Sequence, residues 1–295
     1  MSAVGIFPVI PAAGTPHWSS SDPVHCCLRD VERTEALLAA IAQTVRPGDI
    51  VVDAGAGSGI LSLAAAKAGA ACVLAVELDP HLVECLRTTI AVNGFAGRIE
   101  VVAGNALTVD VPRPADVVIA ELIDTGLLDE LQVPVLNAFH ERGVIGPRTR
   151  VIPTRYVTSL DLVAVDDTFY GFRIAAPIHD WRTFLMPGSG WYPWRLRPLT
   201  SRMEVAAVDF HDPVEPWVER DLVLTATGDG LANGIRLTGV ASLAPGLDLG
   251  ATNALNGNKI LLLPQPVPLR AGERLACRVS YQMGGGLGTF VWRRE

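Results

Sequence analysis

At 295 residues the chain suits one large or two modest domains and can bury a sizeable core. With 49% apolar and 19% charged residues it is not a disordered chain, and a net charge of −7 argues against a nucleic-acid polyanion as partner. The cysteines (Cys26, Cys27, Cys72, Cys85, Cys277) make no CxxC pair and fit a reducing cytosol, and the histidines show no ligand spacing, so no metal is expected. No basic leader precedes the first apolar residues, and no run of about 18 apolar residues is free of charge. The expectation is a cytoplasmic protein without a membrane partner.

Residues 1–24, rich in Pro, Ser and Gly, read as a loosely held N-terminal arm. Leu28, Val31, Leu37, Leu38 and Ile41 then recur at helical spacing, predicting one helix over His25 to Thr44 that Pro47-Gly48 ends. A β-branched run, Ile50 to Val52, is a buried strand, followed by glycines at 55, 57 and 59 and an alanine-rich helix, Leu61 to Ala68. The strand Cys72 to Val76 ends in Glu77. A helix from Pro80 to Val92, strands at Ile99 to Val102 and Ala115 to Ala120, and a helix from Leu131 to Glu141 continue the alternation. Strand and helix in turn to about residue 150 predict a Rossmann-like, doubly wound α/β domain.

Beyond Pro153 the period changes to that of strands: Tyr156 to Ala164, Met203 to Val208, Asp221 to Thr227, Gly234 to Ser242, Lys259 to Leu263, Arg274 to Tyr281 and Thr289 to Arg293. This is an all-β second half, a sandwich or barrel. Between Gly171 and Pro198, Trp181, Phe184, Trp191, Tyr192 and Trp194 crowd an irregular segment, either an interaction surface or a loop pinned by its own aromatics.

The βαβ unit from Ile50 to Pro80 has a nucleoside-binding shape. Glycines let the backbone turn tightly and approach a ligand, and Glu77 at a strand tip is placed to accept hydrogen bonds from two ribose hydroxyls. The turn reads D-x-G-x-G-x-G from Asp53, which resembles the first motif of S-adenosyl-L-methionine (SAM) methyltransferases. Three further stretches are similar to the protein arginine N-methyltransferase family. Cys27-Leu-Arg-Asp-Val-Glu-Arg-Thr34 resembles its M-L-x-D-x-x-R-T stretch; Gly57 to Ala70 is close to its first motif; and Glu121-Leu-Ile-Asp-Thr-Gly-Leu-Leu-Asp-Glu130 resembles its loop of two glutamates with eight residues between them.

The resemblance, which covers the chain from about His25 to its end, implies a SAM-binding domain over 25–152 followed by a β-barrel substrate and dimerisation domain over 153–295. It implies that Arg33 grips the SAM carboxylate, that Asp53, Gly55 and Gly57 frame its methionine moiety, that Glu77 holds the ribose and that Asn105 and Ala106 lie against the adenine. Leu107 stands where many members have a glutamate. Glu121 and Glu130 are the expected catalytic pair. Two carboxylates match the planar fork of a guanidinium, fix it in line with a sulfonium methyl and favour the charge that develops on transfer.

The departures fall on the acceptor side. Asn256-Gly257-Asn258 replaces the family's Thr-His-Trp, so Asn256 and Asn258 are candidate substrate contacts, and Trp18 falls where the second tyrosine of an N-terminal helix is expected. The sequence therefore predicts methyl transfer from SAM, with release of S-adenosyl-L-homocysteine, to arginine in a peptide or to free arginine or an arginine-like small molecule. The alternatives are another nitrogen or oxygen of a small metabolite, and a silent SAM-binding scaffold. A homodimer through residues 171–198 is expected by the same resemblance.

Overall fold

The computed structural model describes residues 21–111, 114–180 and 195–295. Two helices lead in, α1 (Ser21–Arg29) and α2 (Val31–Thr44). The single helix expected over His25 to Thr44 is broken at Asp30, which is the N-cap of α2 and accepts from Arg33 N at 3.2 Å. An aspartate offers the free N–H groups of a first turn a better partner than continued helix would. Its other oxygen takes Thr252 Oγ1 at 2.5 Å and Ala254 N at 2.6 Å, tying the break to the far half of the chain.

The first half is β1 (Ile50–Ala54), α3 (Ile60–Lys67), β2 (Cys72–Glu77), α4 (Pro80–Val92), β3 (Ile99–Ala103), β4 (Val117–Ala120), α5 (Gln132–Glu141) and β5 (Arg150–Ile152). Its strands form one parallel sheet in the order β3-β2-β1-β4-β5. All four residues of β4 are buried, as apolar runs covered on both faces require. The order reverses at β1, so the crevice beyond the carboxyl ends of β1 and β4 is where such a sheet takes a ligand.

The second half runs through β6 (Arg155–Val165), β7 (Thr168–Phe169), β8 (Phe172–Arg173), β9 (Ile178–Asp180), β10 (Leu196–Pro198), β11 (Met203–Asp209), β12 (Trp217–Thr225), β13 (Gly230–Ala244), β14 (Leu247–Leu249), β15 (Asn258–Leu269), β16 (Arg274–Gln282) and β17 (Val291–Arg294). Strands β10-β6-β13-β15-β9 make an antiparallel sheet, with β11 also on β6 and β14 on β13, and β12-β16-β17 make a second. A bridge between Thr200 and Ala226 joins the two, giving the curled barrel-like half expected of the fold class. The strand expected over Thr289 to Arg293 instead opens with a short 3-10 turn, Leu287–Thr289, whose glycine-rich approach does not hold extended backbone.

One apolar core runs through both halves, from Leu37 and Val52 to Leu237, Leu261 and Tyr281. The aromatic residues Trp181, Phe184, Trp191, Tyr192 and Trp194, and Trp18 of the arm, lie outside the described residues.

Candidate active site

A cleft opens at the switch point, walled by Gly55 and Gly57 after β1, Glu77 at the end of β2, Asn105 and Ala106 after β3, and Leu122 and Glu130 after β4. These come from four separate stretches of sequence, brought together because parallel strands end at one edge. Gly55 and Gly57 have φ of +79° and +51°, the left-handed region that disfavours a side chain. A Cβ on Gly55 would also sit 2.6 Å from Leu122 Cδ2, in the wall itself.

The Glu77 carboxylate is held ready. Oε2 accepts from Gly57 N at 2.9 Å, and Oε1 accepts from Leu78 N at 2.8 Å and Asp79 N at 2.9 Å. Asn105 accepts from Leu107 N at 2.9 Å, and Arg142, the C-cap of α5, donates to the Ala106 and Val109 carbonyls at 2.7 and 2.5 Å, fixing the loop after β3 from behind. Asp53 does not wall the cleft. Its buried carboxylate turns to Ser62 Oγ at 2.5 Å on α3, and burial, with the Glu77 charge adding to it, pushes it up to about 6 against that hydrogen bond. It braces the glycine turn from inside.

Arg33, on the first turn of α2, is 6% exposed and pairs with Glu121. Its Nε is buried with no hydrogen-bond partner, a donor left over. Glu130 faces the same guanidinium and is pushed up to about 7, first by burial and then by the Asp124 charge, with Lys259 and Arg33 opposing. Glu121 is paired with Arg33 directly, and Glu130 lies near enough to feel the charge of the same guanidinium. Between them the loop turns through Gly126 and Leu127, both at positive φ, and Thr125 Oγ1 donates to the Gly257 carbonyl at 2.6 Å.

The two asparagines expected at the acceptor are engaged elsewhere. Asn256 is 1% exposed; it accepts from the Tyr156 hydroxyl at 2.7 Å and donates to the Leu249 carbonyl at 3.2 Å, which holds the loop and leaves nothing to offer a substrate. Asn258 donates to Asp180 Oδ2 at 2.9 Å, and alternation along β15 turns it away from the face on which its neighbour Lys259 meets the glutamate loop. Sequence reasoning missed Lys259, Asp124 and Asp129, which form a buried ion cluster under that loop, and Ser62 and Arg142. A lysine opening an apolar strand directly after a tight loop was the available signal for the first; Arg142 carried none.

The residues present fit SAM: a spare buried guanidinium donor for a carboxylate, a bare backbone turn, a held carboxylate for hydroxyls and an apolar wall for a base. Residues 30–147 match the family model described as Ribosomal protein L11 methyltransferase (PrmA). An uncharacterized protein of Methanocaldococcus jannaschii is 32% identical over 276 residues, covering 92% of this chain and 94% of that one. The arginine N(omega)-methyltransferase of Streptomyces achromogenes subsp. streptozoticus is 30% identical over 277 residues, covering 86% of this chain and 74% of that one. Among solved structures, the PRMT1 enzyme-prozyme complex with AdoHcy of Trypanosoma brucei superposes with a TM-score of 0.70 at 20% identity over 86% of each chain, a likeness of fold.

Cleft, switch point and relatives together define a SAM-dependent methyltransferase, with S-adenosyl-L-methionine as its cofactor. Within that class the chain belongs to the protein arginine N-methyltransferase family, as a divergent member. Among the described residues no helix is long and apolar enough to cross a membrane, and no group of His, Cys, Asp and Glu could hold a metal ion.

Proposed function

We propose that this enzyme methylates a guanidino nitrogen of arginine, free or within a peptide. Charge at the acceptor end carries the reading. Glu121 pairs there with Arg33, Asp124 and Asp129 pair with Lys259, and Glu130 lies beside both cations, with burial already driving it toward taking a proton. Buried charge asks for a partner. A guanidinium and a sulfonium supply the two positive charges this cluster lacks. The relative named for arginine, matched along most of both chains, supports the same acceptor.

SAM brings a methyl group on a cationic sulfonium; the rest falls to the chain. In this reading Arg33 takes the cofactor carboxylate, Gly55 and Gly57 lie along its methionine moiety, Glu77 holds the ribose, and Asn105 and Ala106 meet the adenine. Asp53 acts through Ser62 on the turn. Glu121 and Glu130 orient the guanidinium for in-line attack, and Glu130 is poised to receive the proton that leaves afterwards.

We divide the chain into the arm over 1–24, the SAM-binding part over 25–152 and the substrate and dimerisation part over 153–295, and expect a homodimer through residues 171–198. The test of function is mass spectrometry after incubation with methyl-labelled SAM and, separately, free arginine, an arginine-rich peptide and guanidine-free metabolites. Label in either arginine sample supports the proposal and names the acceptor. Label only in a guanidine-free metabolite overturns it.

A further inference from the structure

Lys259 is 1% exposed, on a strand whose next residues, Ile260 and Leu261, are fully buried. An isolated ammonium in such a place would shed its proton, so what surrounds it decides its role. Its Nζ donates to Asp124 Oδ2 and, at 2.6 Å, to Asp129 Oδ2. Asp124 uses its other oxygen on the backbone, accepting from Asp129 N at 3.1 Å and Glu130 N at 3.2 Å. Asp129 uses its own on Leu287 N at 3.0 Å. Each carboxylate therefore spends one oxygen on Lys259 and the other on backbone amides, two for Asp124 and one for Asp129. The lysine is the hub from which the glutamate loop hangs, and one arm of that hub ends on the N–H of Glu130.

We propose that Lys259 is a positioning residue for the methyl acceptor, tying Asp124 and Asp129 into the loop so that Glu130 meets the acceptor as a carboxylate. The proposal rests on the reading of Glu130 as half of the acceptor clamp, but not on which molecule the acceptor is. Neither aspartate belongs to the glutamate pattern read from the sequence, so the cluster is a feature of this chain's own residues.

The groups that face Glu130 are Asp124 and Asp129 of its own loop, Lys259 of β15, Arg33 of α2, Cys27 of α1 and Tyr156 of β6; Glu121 pairs with that same Arg33. The two aspartates push its proton affinity up, and Lys259 and Arg33 pull it down. Signs follow from this arrangement. Taking the charge from Lys259 leaves only Arg33 to oppose the aspartates, so the Glu130 carboxyl must titrate at higher pH. Taking the charge from Asp129, with Asp124 still holding the Glu130 amide, must move it to lower pH. A lysine that merely filled space would give no such opposed pair.

The test is carbon NMR of the full chain carrying carboxyl-labelled glutamate, with S-adenosyl-L-homocysteine and no acceptor. The Glu130 resonance is assigned by its loss in Glu130→Gln. Lys259→Met is expected to raise its midpoint by about one pH unit or more, and Asp129→Asn to lower it by a similar amount. Midpoints that stay put, or that move in the same direction, overturn the proposal. If Lys259→Met does not fold, Asp129→Asn decides alone: a lower midpoint supports the proposal, and an unchanged or higher one overturns it. No acceptor is present, so a failure to methylate arginine leaves this result standing, and the reverse also holds.

Discussion

Arg33 and Glu121 are joined by an ion pair that spans 88 positions of sequence, with side chains only 7% and 11% exposed. The pair links the two ends of the site. Arg33 is the residue the resemblance assigns to the cofactor carboxylate, and Glu121 is one of the two acids assigned to the acceptor. One guanidinium therefore answers to both, and its unpartnered Nε leaves it a donor to spare.

Arg33→Lys keeps the charge and loses the planar fork, so one ammonium must serve two carboxylates. We expect affinity for S-adenosyl-L-homocysteine to fall by about ten- to a hundredfold, the worth of one charged hydrogen bond. Isothermal titration calorimetry measures it, and unchanged affinity would remove Arg33 from the cofactor's binding.

The glutamates should separate chemistry from cofactor binding. Glu121→Gln and Glu130→Gln are each expected to lower turnover by about 10²–10³-fold, the range for losing one preorganised electrostatic contact. Cofactor affinity should hold in Glu130→Gln. In Glu121→Gln it should hold or improve, because Arg33 is released from a competing partner. Equal losses of turnover and affinity in both would count against an acceptor role.

Glu130 predicts a pH dependence with a definite sign. Its carboxyl rises from 4.5 to about 7 in the folded protein, and the clamp we propose uses it ionised. Acceptor kcat/KM should therefore climb as pH passes through about 7 and level off above, and Glu130→Gln should lose that limb. Stability runs the other way. A group that binds its proton more tightly when folded favours the fold below its unfolded value, and that favour is lost as pH rises toward the folded one. Asp53, raised from 3.8 to about 6, acts in the same sense over the lower part of the window. His179, pushed down from 6.5 to about 4 by burial, acts in the opposite sense across much of this window, so the check is a difference. The melting temperature of the cofactor-free protein relative to Glu130→Gln should fall as pH goes from about 4.5 to 7.

Ser62→Ala removes the side-chain hydrogen bond to the Asp53 carboxylate, with both residues buried at 0% and 1% exposure. Leaving such an acceptor short costs about 1–3 kcal/mol. Urea unfolding should show a loss of that size. A loss near zero would mean that Asp53 relaxes without its partner, and that the turn does not depend on this brace.

Much of the molecule was legible because its signals are local. The strand, glycine turn, helix and strand from Ile50 to Glu77 lie in one continuous stretch, and the α/β half with its β-rich sequel follows from periodicity alone. The break at Asp30 was not legible: the aspartate that interrupts the helix gains from Thr252 and Ala254, more than 200 positions away. Asn256 and Asn258 were read as substrate contacts from the residues they replace. In the structure they bond to Tyr156, Leu249 and Asp180, supplied by strands whose register no short pattern encodes. Lys259 escaped for the same reason, since its meaning lies in two aspartates on the other half of the chain.

The clamp is tested most directly by a crystal structure of the enzyme with S-adenosyl-L-homocysteine and arginine bound together. We expect carboxylate oxygens of Glu121 and of Glu130 within hydrogen-bond distance of one guanidinium, with a nitrogen turned toward the cofactor sulfur. A guanidinium bound away from these acids, or touched by only one of them, would contradict the account.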